Sequence, residues 1–179
     1  MRDAGVAGPD WSRADLVAAM IAVAPAALGG AVIKAGAGPV RDCWLEQMRE
    51  LLPAGAPWRK IPTHISESRL LGGLDLTATL QAGRPVAQTG LLAEADGGVA
   101  VLAMAERSRR VTDAHLAAVL DRGEILVARE GLEARVPSRF AVIALDEGVE
   151  DDEQVSRVLR ERLAFLLDLR PFGIRDIDV

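Results

Sequence analysis

Ala31-Val-Ile-Lys-Ala-Gly-Ala-Gly-Pro-Val-Arg-Asp42 is the stretch on which the reading of the fold turns. Ala31-Val32-Ile33 is a short apolar run bounded by Gly29-Gly30 and by the Gly-rich loop Lys34 to Pro39, which suits a buried strand. Asp42 to Leu52 reads as the helix that follows, with Leu45, Met48 and Leu52 as its inward stripe. Strand, glycine loop and helix in that order have the layout of a phosphate-binding loop. Such a loop needs glycines so that backbone N–H groups can turn to phosphate oxygens, a Lys for the terminal phosphates, and a Ser/Thr hydroxyl for Mg²⁺. Gly-rich loops are common, so the loop alone leaves a plain strand-to-helix turn as the alternative.

Working outward from the loop, the same alternation continues. Ser12 ahead of Asp15 reads as an N-cap, and Leu16, Ala19, Met20 and Val23 recur at helical spacing. Pro53 to Ser68 carries three prolines and few hydrophobics, which predicts an irregular excursion. Short helices are expected over Asp75–Leu80 and Leu91–Ala95, and a longer one over Thr112–Leu120. Val99–Met104 and Phe140–Leu145 are continuous apolar runs, expected as strands covered on both faces. Ile125–Val136 alternates around Gly131, the pattern of a β-hairpin. Asp151-Asp152 ahead of Val155, Leu159, Leu163 and Leu166 predicts a final amphipathic helix with acids at its positive end. Strands alternating with helices mean an α/β fold with a mainly parallel sheet, in one domain over residues 1–179 with 1–10 loose.

Composition removes several function classes. Half of the 179 residues are hydrophobic and 26% are charged, enough for a sizeable core. A net charge of −5 argues against a non-specific nucleic-acid or anionic-membrane binder. The 3% aromatic content and the lack of Tyr argue against a base-stacking platform. Cys43 is the sole cysteine, so no internal disulfide forms and a reducing compartment fits, which points to the cytoplasm. Only His64 and His115 could join it in a metal site, and their spacing suggests none. Leu16–Ile33 carries no charge, but Pro25 and Gly29-Gly30 interrupt it and its apolar residues are mostly Ala, so no membrane span is expected.

Several separate motifs occur in one order. Leu71-Gly-Gly-Leu-Asp-Leu-Thr-Ala-Thr-Leu-Gln-Ala-Gly83 is followed by Thr89-Gly-Leu-Leu-Ala-Glu-Ala95 and Gly97-Gly-Val99. Gly123-Glu124, Val127-Ala-Arg-Glu-Gly-Leu132 and Arg135-Val-Pro-Ser-Arg-Phe140 come next, then Leu159-Arg-Glu-Arg-Leu163 and Leu167-Asp-Leu169. From Gly29 onward this series resembles the AAA+ modules of magnesium chelatase, with Thr89 where the family usually has proline. The resemblance implies an AAA+ core: a central, mainly parallel sheet flanked by helices, with a β-hairpin insertion and without the helical lid. It implies a complex that inserts Mg²⁺ into protoporphyrin IX at the expense of ATP. In that complex an I subunit hydrolyses ATP, an H subunit carries the porphyrin, and a D subunit couples them in a ring. D subunits run on into a Pro-rich linker and an integrin-like domain, so the chain is expected to be an N-terminal fragment.

The departures from the family pattern point to the D role. Aligned on Gly29-Gly30, Gly38 keeps a loop glycine and Gly36 stands beside it, while Ala35 and Val40 replace two others. A β-branched Val40 is strained if that position needs positive φ. Arg41 takes the Walker A lysine position and Asp42 the Ser/Thr position. Two like unit charges at ~4 Å repel by about 4 kcal/mol at an effective dielectric near 20, so nucleotide binding to this chain is weakened rather than excluded. On Val101-Leu-Ala-Met-Ala-Glu106, Ala105 stands at the Mg²⁺-binding Asp position and Glu106 at that of the water-positioning Glu. Asp146-Glu147 replaces the polar sensor Asn. Arg162 keeps the family's arginine-finger position, from which it would reach a neighbour's nucleotide. Two other readings stay open: a divergent but active AAA+ ATPase, and an AAA+-derived scaffold from another pathway.

Overall fold

The computed structural model describes residues 10–84, 86–129, 132–150 and 152–177. Helix α1 (Ser12–Val23) and the single turn α2 (Pro25–Leu28) lead into β1 (Gly30–Lys34), α3 (Pro39–Leu51) and β2 (Trp58–Ile61). Helices α4 (Glu67–Leu71) and α5 (Leu76–Ala82) alternate with a two-stranded antiparallel ribbon, β3 (Gly72–Leu74) and β4 (Ala87–Thr89). Then come α6 (Leu91–Glu94), β5 (Val99–Leu102), a 3-10 turn at Ala105–Arg107 and α7 (Arg110–Arg122). The chain closes with the β6 (Glu124–Arg129)/β7 (Leu132–Pro137) hairpin, β8 (Ala141–Asp146), α8 (Arg157–Arg160) and β9 (Phe165–Asp168).

Five strands form one parallel sheet in the order β2-β5-β8-β1-β9. Strand side chains alternate between faces, and here each face owns a core. Ala31, Ile33, Val101, Ile143 and Leu145 pack with Trp11 and with α1 and α3 through Ala18, Ile21, Trp44 and Met48. Val32, Leu102, Val142 and Ala144 pack with Leu70, Leu92, Leu116 and Leu159 from the helices on the other side. Strands buried on both faces read as continuous apolar runs, which is why β1, β5 and β8 were legible. Trp44 ties the first layer together: it is fully buried and its Nε1–H donates to the Ala14 carbonyl at 2.8 Å. Gly30, at φ +123°, brings β1 against β8 where a Cβ would lie 1.9 Å from the Val142 oxygen, so only glycine serves there.

Several expectations need correction. Pro53–Ser68 is not wholly irregular, because Trp58–Ile61 forms edge strand β2 beside β5. An edge position between Pro57 and Pro62 tolerates prolines that a central strand would reject. The last helix is a single turn, and the segment after it becomes β9, paired with β1 with Ala31 opposite Phe165. Its Leu spacing is compatible with either element, and the free edge of β1 decides between them. Ser12 is the first residue of α1 and not its cap; Trp11 precedes the helix, and Asp10 Oδ1 accepts the Ser12 N–H at 3.0 Å. Leu16, Met20 and Val23 lie on the exposed side of α1, while Ala14, Ala18 and Ile21 face the core. Small residues win there because α1 must lie close against α3. Asp75, expected as the first residue of a short helix, is instead the cap of α5, accepting the Ala78 N–H at 2.9 Å. The predicted turn residue Gly131 and the acid Asp151 lie outside the described residues.

Candidate functional site

In an open parallel sheet, ligands bind beyond the carboxyl ends of the strands. At that edge the structure gathers the loop after β1, the turn after β5 and the segment after β8, which carry the residues singled out in the sequence. Gly38 is the N-cap of α3 and Pro39 its first residue, so the helix starts earlier than expected and Val40 lies in its first turn. The strain expected at Val40 therefore does not arise. A Cβ on Gly36 or Gly38 would meet nothing within 4 Å, and neither adopts a left-handed φ. The loop keeps glycines without using their freedom.

Arg41 projects from the first turn of α3 and is largely buried, its side chain 13% exposed. Its Nη1 donates to Glu147 Oε1 at 2.8 Å, while Nε and Nη2 reach Asp42 Oδ1 at 3.4 and 3.5 Å. The Walker A lysine position and the sensor position thus close on each other as an internal ion pair. Strand β5 ends at Leu102, earlier than expected, so Ala105 and Glu106 sit on the 3-10 turn and not on the strand. Met104 enters that turn at φ +46°, an uncommon conformation for a residue with a Cβ. Glu106 is turned inward, its side chain 1% exposed. Its Oε2 accepts the Glu147 N–H at 3.0 Å, and Oε1 has no hydrogen bond but lies 3.5 Å from Arg107 Nε. This carboxylate fixes the β8 end. A cleft of about 430 Å³ runs between α3 and the β2–β5 edge, lined by Arg41, Asp42 and Glu147 together with Arg49, Trp58 and Lys60.

Arg162 stands at the opposite, amino edge of the sheet. It follows α8 instead of lying within a longer helix, and Ala164 N–H then donates to the Leu28 carbonyl at 3.0 Å to start β9. Its guanidinium is held in a fork by Asp121, with Nε–Oδ1 at 2.9 Å and Nη2–Oδ2 at 2.7 Å, and Nη1 donates to the Val158 carbonyl at 2.8 Å. The Arg162 hydrogen bonds hold the Asp121 carboxyl below the usual carboxylate range, and Asp121 in turn raises the guanidinium. Arg162 therefore does not meet Arg41, Asp42 or Glu106 within one chain. No sequence signal links Asp121 to Arg162, 41 residues apart.

Elsewhere, Glu94 accepts from Arg59 Nε at 3.1 Å, and His115, set aside as a metal ligand, lies 3.0 Å from Glu67. Among the described residues no group of three or more His, Cys, Asp or Glu side chains is placed to hold a metal ion. Nor is any described helix long and apolar enough to cross a membrane.

Against known proteins, no family model matches the chain. The magnesium-chelatase 60 kDa subunit of Cereibacter sphaeroides is 40% identical over 162 residues, 90% of this chain and 25% of that subunit. That of Rhodobacter capsulatus is 34% identical over 169 residues, 94% of this chain and 27% of the subunit. The chain belongs to the magnesium-chelatase D-subunit family. It spans about a quarter of the length of the curated relatives it matches. A solved complex of the BchI and BchD subunits of magnesium chelatase superposes with a TM-score of 0.67 at 22% identity, over 94% of this chain and 60% of that one. The fold is the AAA+ α/β core that the motif order implied.

For a magnesium-chelatase D-type domain the remaining question is whether these residues suit a magnesium nucleotide. They do not. Arg41, at the position where the motif order led one to expect a phosphate-binding cation, is engaged by two carboxylates of its own chain. Asp42 offers repulsion where a hydroxyl would ligate Mg²⁺, and buried Ala105 offers no ligand. The carboxylates of Glu106 and Glu147 add negative charge at the same strand ends.

Proposed function

We propose that this domain is the non-hydrolysing AAA+ platform of a magnesium chelatase. It assembles with an ATPase I subunit, and with the porphyrin-carrying H subunit, in a cytoplasmic ring that drives ATP-dependent insertion of Mg²⁺ into protoporphyrin IX. The observation that carries this reading is the Arg41–Glu147 ion pair. It joins the two positions that would grip and sense the terminal phosphate, and it leaves the strand ends closed by the chain itself. The degenerate set Gly36, Gly38, Arg41, Asp42 and Glu106 is then a remnant: it keeps the loop, helix and β8 end in place without firing.

Arg162 is the functional group that such a platform retains. At the amino edge it faces away from its own strand ends, so it can serve only a site on another subunit. A guanidinium delivered there stabilises charge on the transferring phosphoryl group. Arg162→Ala is expected to lower the ATP turnover of the mixed complex with the I subunit by about 10³-fold or more at the site it serves. Size-exclusion chromatography of the same mixture should show assembly intact. Turnover unchanged in that complex would remove the finger role.

A further inference from the structure

We infer that Arg139 is a second arginine acting in trans, gripping beside Arg162 the polyphosphate of a nucleotide held by the neighbouring subunit. The inference rests on the trans reading of Arg162. A cleft of about 300 Å³ opens at the amino edge of the sheet, lined by Ala26, Ala27, Asp121, Arg122, Ser138 and Arg139 among others. It lies where α2 runs into β1 and where Ser138–Phe140 runs into β8. Asp121, which binds Arg162, is part of its wall.

The backbone of Arg139 is built into this wall, and its side chain, like that of Arg122, is exposed. Its N–H donates to Asp96 Oδ1 at 2.6 Å, and its carbonyl accepts the Gly97 N–H at 2.7 Å, so the backbone is clamped on both sides. The side chain crosses Gly123, where a Cβ would stand 3.2 Å from Arg139 Cγ and 3.3 Å from Nε. Gly123 closes α7 at φ +68°, so the same glycine ends the helix and makes room for the arginine stem. Ordering a long side chain costs rotamer entropy, which an intramolecular ion pair would normally offset. Among the described residues no carboxylate pairs with the Arg139 guanidinium, nor with that of exposed Arg122. The acid of the cleft, Asp121, is committed to Arg162.

Arg122 and Arg139 line the cleft with the single carboxylate Asp121, whose charge Arg162 already balances, so the wall is locally positive on a chain of net charge −5. Such a wall suits an anion. Planar N–H forks suit phosphate oxygens, which favours a polyphosphate over isolated carboxylates of a partner protein. A nucleotide on the neighbour places that anion beside Arg162 and leaves Arg139 within the same cleft.

The test uses the chain mixed with the I subunit. Arg139→Gln keeps a stem over Gly123 while removing the charge, and Arg139→Lys keeps the charge without the fork. Urea midpoints near that of the unaltered chain show that both fold. R139Q should lower kcat for ATP about tenfold, the worth of one charge-assisted hydrogen bond, and R139K should recover part of the loss. A second readout compares the affinity of the chain for I subunit loaded with a non-hydrolysable ATP analogue and with ADP. The unaltered chain should prefer the analogue, and R139Q should lose that preference while keeping its affinity for the ADP form. Unchanged kcat in R139Q overturns the inference, and so does a loss that raising the chain concentration restores in full, because either outcome makes Arg139 a bystander or a plain docking contact. R162A is run in parallel. If R162A also leaves turnover unchanged, the trans reading itself fails; if R162A lowers turnover and R139Q does not, only the role of Arg139 fails.

Discussion

Replacing Glu147 by glutamine removes the carboxylate that occupies Arg41 and leaves an amide oxygen of the same reach. Arg41 Nη1 lies 2.8 Å from Glu147 Oε1, and the two side chains are 13% and 27% exposed, so solvent screens the pair only partly. A phosphate taking the place of Glu147 beside Arg41 would lie within roughly 6 Å of that carboxylate. At an effective dielectric of about 20 to 40, the repulsion between them is roughly 1.5–3 kcal/mol. Glu147→Gln should therefore tighten nucleotide binding by about ten- to a hundredfold. The fold should survive, because the Glu147 N–H still donates to Glu106 and the glutamine Oε1 still accepts from Arg41. The assay is a titration with a fluorescent ATP analogue at ~0.15 M salt, where surface charges beyond about 8 Å are screened and the local pair dominates. An E147Q dissociation constant within twofold of the unaltered chain, at an unchanged melting temperature, would refute the idea that this ion pair blocks the phosphate site.

Three further outcomes follow from the geometry. Arg162 holds the Asp121 carboxyl below the usual carboxylate range, so the stabilisation from their pair is complete at neutral pH and is lost only as pH falls through that depressed value. Carboxyl NMR titration should place Asp121 in the ordinary range in R162A, and an unshifted midpoint there would dissolve the pair. Trp44→Phe removes the Nε1–H bond to the Ala14 carbonyl and part of a fully buried ring, and should cost about 1–3 kcal/mol by urea unfolding. Gly30→Ala puts a methyl 1.9 Å from the Val142 oxygen at φ +123°; a loss above about 4 kcal/mol, or no folded protein, is expected from thermal unfolding.

Much of this molecule was legible in the order of its residues, for identifiable reasons. β1, β5 and β8 are buried on both faces, and double burial writes itself as unbroken apolar runs. The Asp75 cap and the alternating hairpin carry local signals that need no tertiary context. β2 and β9 were hidden because each is an outer strand whose polar and apolar residues satisfy more than one period. What recruits them is the open edge of β5 and of β1. The inward face of α1 was misread because close helix packing chose Ala14 and Ala18 over the larger Leu16 and Met20. At the site, the substitutions Arg41, Asp42 and Ala105 were visible as departures from a motif. Their consequence was not, since Arg41 finds Glu147 106 residues away and Arg162 finds Asp121 41 residues away. Ion pairs over such distances are products of topology, and no window along the chain contains both partners.

The most direct test of the whole account is steady-state ATP hydrolysis by the purified chain, first alone and then with the I subunit added in increasing amounts. A self-closed phosphate site predicts background release of phosphate from the chain alone, and a rise above the I subunit's own rate once the two are mixed. Sustained turnover by the chain alone, abolished by Arg41→Ala, would contradict it.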